Sequence, residues 1–196
     1  IAFEVSMILI IEPFFKPEVD TEIGGIGLIK KLSNPLSHNF KKVHNTIILI
    51  GKTFGHIEQS CFLKENYSIT DGMPPEINLV NEKNNGESLL KLINKNLILS
   101  AHDVSNGGLI TALAEMALTS NYGAKIHKPK KLTNLFKYFF GEDQARYIIE
   151  IQTQNLPMVE QILGESNIYY ENIGFTQENY FEIEGELKIS TKDLFK

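Results

Sequence analysis

The pattern of apolar and polar positions predicts a chain in which strands and helices alternate. A continuously apolar run from Thr46 to Ile50, closed by Gly51, indicates a strand covered on both faces. Further strands are predicted at 5–11, 23–29, 97–99, 124–127, 146–152, 169–175 and 180–183, and helices at 76–96, 108–116 and 156–163. Short helices are predicted within 128–140 and from Thr191, a possible N-cap, and Asn84-Asn85-Gly86 could break the helix at 76–96. This order predicts a mixed α/β or α+β layer fold.

The turn between the predicted strand at 97–99 and the next helix carries the strongest candidate chemistry. It contains Asp103, Ser105 and the pair Gly107-Gly108, ahead of a helix whose free N–H groups point into the turn. Such a turn can hold a phosphate, and Asp103 could ligate Mg²⁺ together with phosphate oxygens. The alternative is that Asp103 or Ser105 only caps the helix. His102 could donate to a phosphate, although a lone histidine is more often structural.

A second candidate is the segment Phe140 to Arg146. Glu142 and Gln144 lie two positions apart, so they share one face if the segment is extended. Together they could bind hydroxyl groups or a cation. The alternative is a charged turn with Glu142 and Arg146 as surface groups.

Composition narrows the function classes. The 196 residues carry a formal net charge of −5, and the lysines are scattered among acids, so nucleic-acid binding is not expected. The single cysteine, Cys61, excludes an internal disulfide and is expected to be a small buried thiol. No apolar run approaches the roughly 20 residues that span a bilayer, which predicts a cytoplasmic protein. The chain does not begin with methionine, which fits a fragment or a processed piece.

Four motifs, in order along the chain, resemble the phosphoribosylformylglycinamidine synthase family. Residues 100–109 resemble the signature S-A-H-D-V-S-D-G-G-L, and residues 140–147 resemble F-G-E-S-Q-G-R-Y. Residues 23–29 are similar to I-G-G-V-G-L-I, and residues 72–75 to G-x-P-P. The match covers nearly the whole chain.

The resemblance implies a C-terminal piece of the synthetase subunit. Residues 1–32 would be the end of the second N-type β-rich domain, and residues 33–196 the second aminoimidazole-ribonucleotide-synthetase-type C-terminal domain, a mixed sheet covered by helices. The family is an ATP-dependent ligase of purine biosynthesis. ATP activates the amide oxygen of formylglycinamide ribonucleotide, and glutamine-derived ammonia displaces phosphate to give the amidine. The partners implied are the rest of the synthetase subunit, a glutaminase subunit and a small third subunit.

The same resemblance places the site residues at an auxiliary, pseudo-symmetric nucleotide site, and no catalytic residue is expected in the chain. ATP or ADP would be bound by His102, Asp103, Ser105, Gly107, Gly108, Gln144 and Ser6, and Mg²⁺ by Asp103 and Glu142. The family's G-N-V-S-L-Y-N-E segment departs most, because only Val5 and Ser6 match, with Phe3 and Glu4 replacing a glycine and an asparagine.

Three interpretations follow from these residues. The first is a ligase fragment that is inactive alone and supplies scaffold and an auxiliary nucleotide site. The second is a decayed or stand-alone binding module derived from the same fold. The third is a superfamily relative such as selenophosphate synthetase or thiamine-monophosphate kinase. The amino-acid sequence of residues 100–105 fits this interpretation less well.

Overall fold

The computed structural model describes residues 8–11, 23–26, 36–129 and 134–194. The chain divides into two units, Ile1–Pro35 and Leu36–Lys196. In the first unit, strands β1 (Ile8–Ile11) and β2 (Ile23–Ile26) form an antiparallel pair in which Ile8 is opposite Ile26. The rest of the predicted strands at 5–11 and 23–29 lies outside the described residues. The predicted domain boundary at residue 32 stays a prediction.

The second unit alternates strands and helices before it ends in paired strands. Its strands are β3 (Thr46–Ile50), β4 (Ser100–Asp103), β5 (Tyr122–Ile126), β6 (Tyr147–Ile151), β7 (Tyr170–Glu178), β8 (Tyr180–Ile183) and β9 (Leu187–Ser190). Its helices are α1 (Cys61–Tyr67), α2 (Leu79–Asn94), α3 (Gly108–Leu118), α4 (Leu135–Phe140), α5 (Leu156–Glu165) and α6 (Thr191–Leu194), with a 3-10 turn at Thr153–Asn155.

The seven strands form one mixed sheet in the order β4-β6-β3-β7-β5-β8-β9. All neighbours are antiparallel except β5 and β8, which run parallel. Asp103 at the end of β4 is opposite Tyr147, which is opposite Ile50 of β3, and Ile50 is opposite Tyr170. These residues therefore lie along one end of the sheet. The predicted α/β architecture, a mixed sheet covered by helices, is confirmed.

Strand β3 lies at the centre of two apolar cores, one on each face of the sheet. Ile47 and Leu49 belong to the core that α3 and α4 cover, whereas Ile48 and Ile50 belong to the core that α2 and α5 cover. All five residues of β3 are buried, as the unbroken apolar run predicts. The helical spacing of α3 is confirmed as well, since its buried apolar side chains are Leu109, Ala112, Leu113, Met116 and Ala117.

Several predicted elements differ from the structure. Helix α2 is continuous through Asn84-Asn85-Gly86, because the buried Asn85 donates its side-chain amide to the carbonyl of Ala145 and fixes that turn. The strand predicted at 97–99 begins only at Ser100, where pairing with β6 starts. Helix α1 and strand β9 were not predicted.

The last helix has a different cap from the one predicted. The hydroxyl of Ser190, and not that of Thr191, accepts the N–H of Asp193 at 3.1 Å. Thr191 is the first residue of α6 itself. In the described part of the chain, no helix has the length and apolar character needed to cross a bilayer.

Candidate functional site

Glu142 connects the two segments that the sequence singled out. Its Oε1 atom accepts the backbone N–H of Gly107, at the start of α3, and that of Cys61, at the start of α1, each at 2.7 Å. Gly107 is the N-cap of α3, and no side chain of the turn itself caps this helix. The prediction that Asp103 or Ser105 caps α3 is therefore wrong, because a carboxylate from a distant loop takes that place.

The two glycines of the turn allow close backbone approach inside the protein. Gly108 has φ +73°, and a Cβ there would lie 2.7 Å from the carbonyl oxygens of both Phe139 and Gly141. At Gly107, with φ +79°, a Cβ would meet the side chain of Thr111. The turn therefore packs directly on the Phe139–Gly141 backbone, which explains the need for glycine.

His102 and Asp103 are paired at the end of β4. The ring Nδ1 of His102 lies 2.7 Å from the backbone carbonyl oxygen of Asp103 and 3.4 Å from Asp103 Oδ1, and its Nε2 lies 3.0 Å from Glu115 Oε2. The hydrogen bond with Asp103 raises the pKa of His102 and lowers the pKa of Asp103. The Asp103 side chain is 65% exposed, so an ionised carboxylate faces solvent beside a largely buried histidine.

Asp143, a residue that the sequence analysis missed, holds a neighbouring loop in place. It is buried, and its carboxylate accepts three successive backbone N–H groups, from Phe54, Gly55 and His56, at 2.8–3.0 Å. The signal available in the sequence was the acid at three residues before Arg146, a spacing typical of a local ion pair. The carboxylate and guanidinium groups lie 4.0 Å apart.

Arg146 is buried beneath the same loop, so the interpretation of Arg146 as a surface group is wrong. Its side chain is 1% exposed and donates to the carbonyls of Asp143 and Gly141 and to the hydroxyl of Thr53. Burial lowers the pKa of the guanidinium, and the nearby Asp143 carboxylate opposes that shift. The residue joins the loop that carries Glu142 to the loop after β3.

The remaining predicted site residues contribute less to this arrangement. Ser105 and Gln144 are exposed, and Ser6 lies outside the described residues. The structure brings Glu142, Gly107 and Gly108 together, and it pairs His102 with Asp103. Cys61 is exposed, in contrast to the expected buried thiol. It is the first residue of α1, and its N–H donates to Glu142.

A metal would have few protein ligands here. The described residues contain no group of three or more histidine, cysteine or acidic side chains able to hold an ion. Glu142 Oε1 already accepts two N–H groups, so its Oε2 atom and the exposed carboxylate of Asp103 are the oxygens available. One or two carboxylates suit Mg²⁺ that is also bound by phosphate and water, and they do not form a closed protein cage.

Comparison with known proteins identifies the family. Residues 42–183 match the family "AIR synthase related protein, C-terminal domain". A phosphoribosylformylglycinamidine synthase subunit PurL from Pelagibacter ubique is 48% identical over 174 residues, which cover 89% of this chain and 24% of that protein. The corresponding subunit from Rhodopseudomonas palustris strain TIE-1 is 36% identical over 172 residues, covering 88% of this chain and 23% of that protein. These relatives confirm the predicted resemblance.

A solved structure shows the same fold. Thermotoga maritima PurL in complex with FGAR has a TM-score of 0.66 at 16% sequence identity, covering 82% of this chain and 29% of that protein. The chain spans about a quarter of the length of the PurL subunits that it matches. With the family model extending over most of its length, the chain belongs to the family of AIR synthase related proteins through their C-terminal domain.

Proposed function

We propose that this chain acts as the C-terminal part of a phosphoribosylformylglycinamidine synthase, the ATP-dependent ligase that converts formylglycinamide ribonucleotide to the amidine in purine biosynthesis. The observation that carries the proposal is the 48% identity to a PurL subunit over 89% of the chain. The family match at residues 42–183 extends over most of the second unit and includes both candidate segments.

Within that enzyme, the role that the geometry supports best is scaffold plus an auxiliary nucleotide site. The network of Glu142, Asp143 and Arg146 fixes the start of α3 against two loops. It leaves the carboxylate of Asp103 exposed and ionised at the end of the sheet. In open α/β sheets, ligands commonly bind beyond the ends of the strands.

The proposed ligand of this site is ATP or ADP with Mg²⁺. PurL from Thermotoga maritima has been solved in complexes with ATP and with ADP. In this chain, Asp103 and the free oxygen of Glu142 would hold the metal, which neutralises phosphate charge. His102, Ser105, Gln144 and the backbone around Gly107 and Gly108 would face the nucleotide, together with Ser6.

The proposed partners are the remaining domains of the synthetase and its associated subunits. A PurLQS assembly from Thermotoga maritima has been solved, which supports a multi-subunit enzyme. The glutaminase and the small third subunit, which the family resemblance implies, are part of the proposal. A cytoplasmic location is proposed with them, and the single cysteine is compatible with it.

The proposal predicts that the isolated chain does not carry out the reaction. Purified chain would be incubated with formylglycinamide ribonucleotide, ATP, Mg²⁺ and ammonia, and phosphate release would be followed. No substrate-dependent release is expected. Turnover above that of the Asp103→Asn variant would contradict the assignment of this chain as support.

A stand-alone binding module is the second candidate, and the changed segment at Phe3 and Glu4 favours it. The two candidates differ in whether Asp103 takes part in Mg²⁺-dependent binding of ADP. Calorimetric titration of the full chain with ADP, with and without Mg²⁺, would separate them. Mg²⁺-dependent heat that disappears in Asp103→Asn supports the auxiliary nucleotide site, and its absence supports a decayed site.

A further inference from the structure

A cavity lies at the end of the sheet that carries Asp103, beyond the ends of β3, β5 and β7. Its volume is about 520 Å³, within the range typical of small-molecule sites. The residues that line it include Lys52 and Thr53 after β3, Tyr138 of α4, and Tyr169, Glu171 and Ile173 around β7. None of these residues belongs to the predicted nucleotide site.

Two tyrosine hydroxyls share one acceptor, Glu171, in the wall of the cavity. The hydroxyl of Tyr138 donates to Glu171 Oε2 at 3.1 Å, and that of Tyr169 donates to Oε1 at 2.8 Å. Burial, with a contribution from Glu171, raises the pKa of Tyr169 to about 12, so this phenol remains a donor at neutral pH. The Glu171 charge is satisfied within the wall. The Tyr138 ring is 2% exposed and belongs to the core, whereas Tyr169 is 40% exposed, so the Tyr169 ring is the one available to stack on a planar group.

One cation at the cavity has no acidic partner among the described residues. Lys128 is paired with Glu186, and His127 lies 3.5 Å from Glu184. In contrast, the described contact of the Lys52 ammonium is with the ring of Phe54, 4.9 Å away. Lys52 is exposed and lines the cavity, and its flexible side chain can turn its ammonium toward a compact anion such as a phosphate.

Arg146 separates this cavity from the Asp103 turn. The strand register places Tyr170 on β7, three strands across the sheet from Asp103 on β4, with β6 and β3 between them. Arg146 Nη1 contacts Thr53 on the cavity side, and Nη2 contacts Gly141 on the other side. A ligand in the cavity would therefore not contact Asp103.

From the fixed Tyr169 ring, the cavity volume and the exposed ammonium of Lys52, we propose that this cavity binds a small aromatic phosphomonoester. The ring would stack on Tyr169, and the phosphate would lie against Lys52. The site is distinct from the nucleotide site under the proposed function and does not depend on it.

The test uses 1-naphthyl phosphate as probe, with 1-naphthol and inorganic phosphate as its separate halves. Each is titrated into the ¹⁵N-labelled full chain, and amide shifts are followed. We expect a Kd on the order of 0.1–1 mM for the complete probe, as befits a ligand of this size. The largest shifts should fall on the amides of Lys52, Asn172 and Ile173.

Variants separate this site from others. Lys52→Met should weaken binding of the probe about tenfold, as loss of a charged contact does, and Lys52→Gln should do the same. The matched change Lys95→Met, at the exposed end of α2, should leave the affinity unchanged. Asp103→Asn should have no effect either.

Four results would overturn the proposal. They are absence of binding at several millimolar probe, shifts centred on residues 103–108, equal affinity for 1-naphthol and its phosphate, and equal affinity of the wild type and Lys52→Met. Spectra of the free variants that superpose on that of the wild type establish that folding is retained.

Discussion

Glu142 Oε1 lies 2.7 Å from the backbone nitrogen of Gly107, 35 positions earlier in the chain. The same oxygen accepts the N–H of Cys61. One carboxylate thus fixes the start of α3 and the start of α1. The resulting contacts determine how the turn that carries Asp103 is presented to solvent.

Removing this carboxylate should destabilise the second unit. We expect Glu142→Ala to lower the free energy of unfolding by about 1–2 kcal/mol, because the partly buried N–H of Gly107 and the exposed N–H of Cys61 lose their acceptor. Glu142→Gln should cost less, since its amide oxygen can still accept. Urea denaturation measures both. The surface variant Glu87→Ala, from an exposed ion pair with Lys83, should change stability by less than about 0.5 kcal/mol. An equal effect of Glu142→Ala and Glu87→Ala would show that the contacts to Gly107 and Cys61 contribute nothing.

Gly108 and Gly164 offer a matched pair of glycine-to-alanine changes. Gly108→Ala should destabilise by about 2 kcal/mol or more, because its Cβ meets backbone at 2.7 Å and its φ is +73°. Gly164, within α5, has no atom within 4 Å of such a Cβ, and Gly164→Ala should be neutral or stabilise by up to about 1 kcal/mol. Thermal unfolding of both variants is the measurement. A tolerated Gly108→Ala would contradict the close approach of the turn to Gly141.

The sequence predicts elements that depend on neighbouring residues, and it misses contacts between segments that are distant in the chain. Strand β3 was predicted with its bounds, since Thr46 and the four consecutive apolar residues after it lie between polar turns and leave few alternatives. The cap of α3 was not, because the acceptor comes from Glu142, and only the folded sheet brings the two segments together. Arg146 was misplaced for the same reason. Its acceptors include the backbone carbonyl of Gly141, and local sequence does not indicate that such carbonyls are available.

Glu150 is a fully buried carboxylate whose four donors come from two segments, residues 41–45 and Ser100. It accepts the N–H groups of Lys41 and Lys42, the amide of Asn45 and the hydroxyl of Ser100. In Glu150→Gln, the new NH₂ group faces donors instead of accepting from them. We expect a loss of about 2–4 kcal/mol, measured by urea denaturation.

The exposed residue Glu178 at the end of β7 provides a control for that charge change. Glu178→Gln should leave the midpoint of unfolding nearly unchanged. If Glu150→Gln unfolds at the same urea concentration as the wild type, the four hydrogen bonds do not stabilise the fold as described.

The His102–Asp103 pair should make stability depend on pH. Because the folded pKa of His102 is raised above 6.5, its contribution is complete below that value and is lost as the pH rises through the folded pKa. The pKa of Asp103 is lowered below 3.8, so its contribution is present above 3.8 and is lost as the pH falls through the folded value. The pair is therefore most stabilising between about 3.8 and 6.5.

An NMR titration of the His102 ring measures this directly. The pKa should lie above 6.5 in the wild type and fall in Asp103→Asn, with a smaller fall in Glu115→Gln. Asp103 contributes the largest favourable interaction, and Glu115 adds a weaker attraction through space. A His102 pKa that does not respond to Asp103→Asn would contradict the paired geometry.

The central claim, that the chain serves as the C-terminal part of the synthase, is tested most directly by exchange. The matching segment of the Pelagibacter ubique PurL subunit would be replaced by residues 36–196 of this chain. Amidine formation by the chimera, with its other subunits present, would then be compared with that of the parent enzyme. The account predicts activity within about tenfold of the parent, and a large loss when the chimera also carries Glu142→Ala. A chimera that folds and assembles but forms no amidine would contradict it.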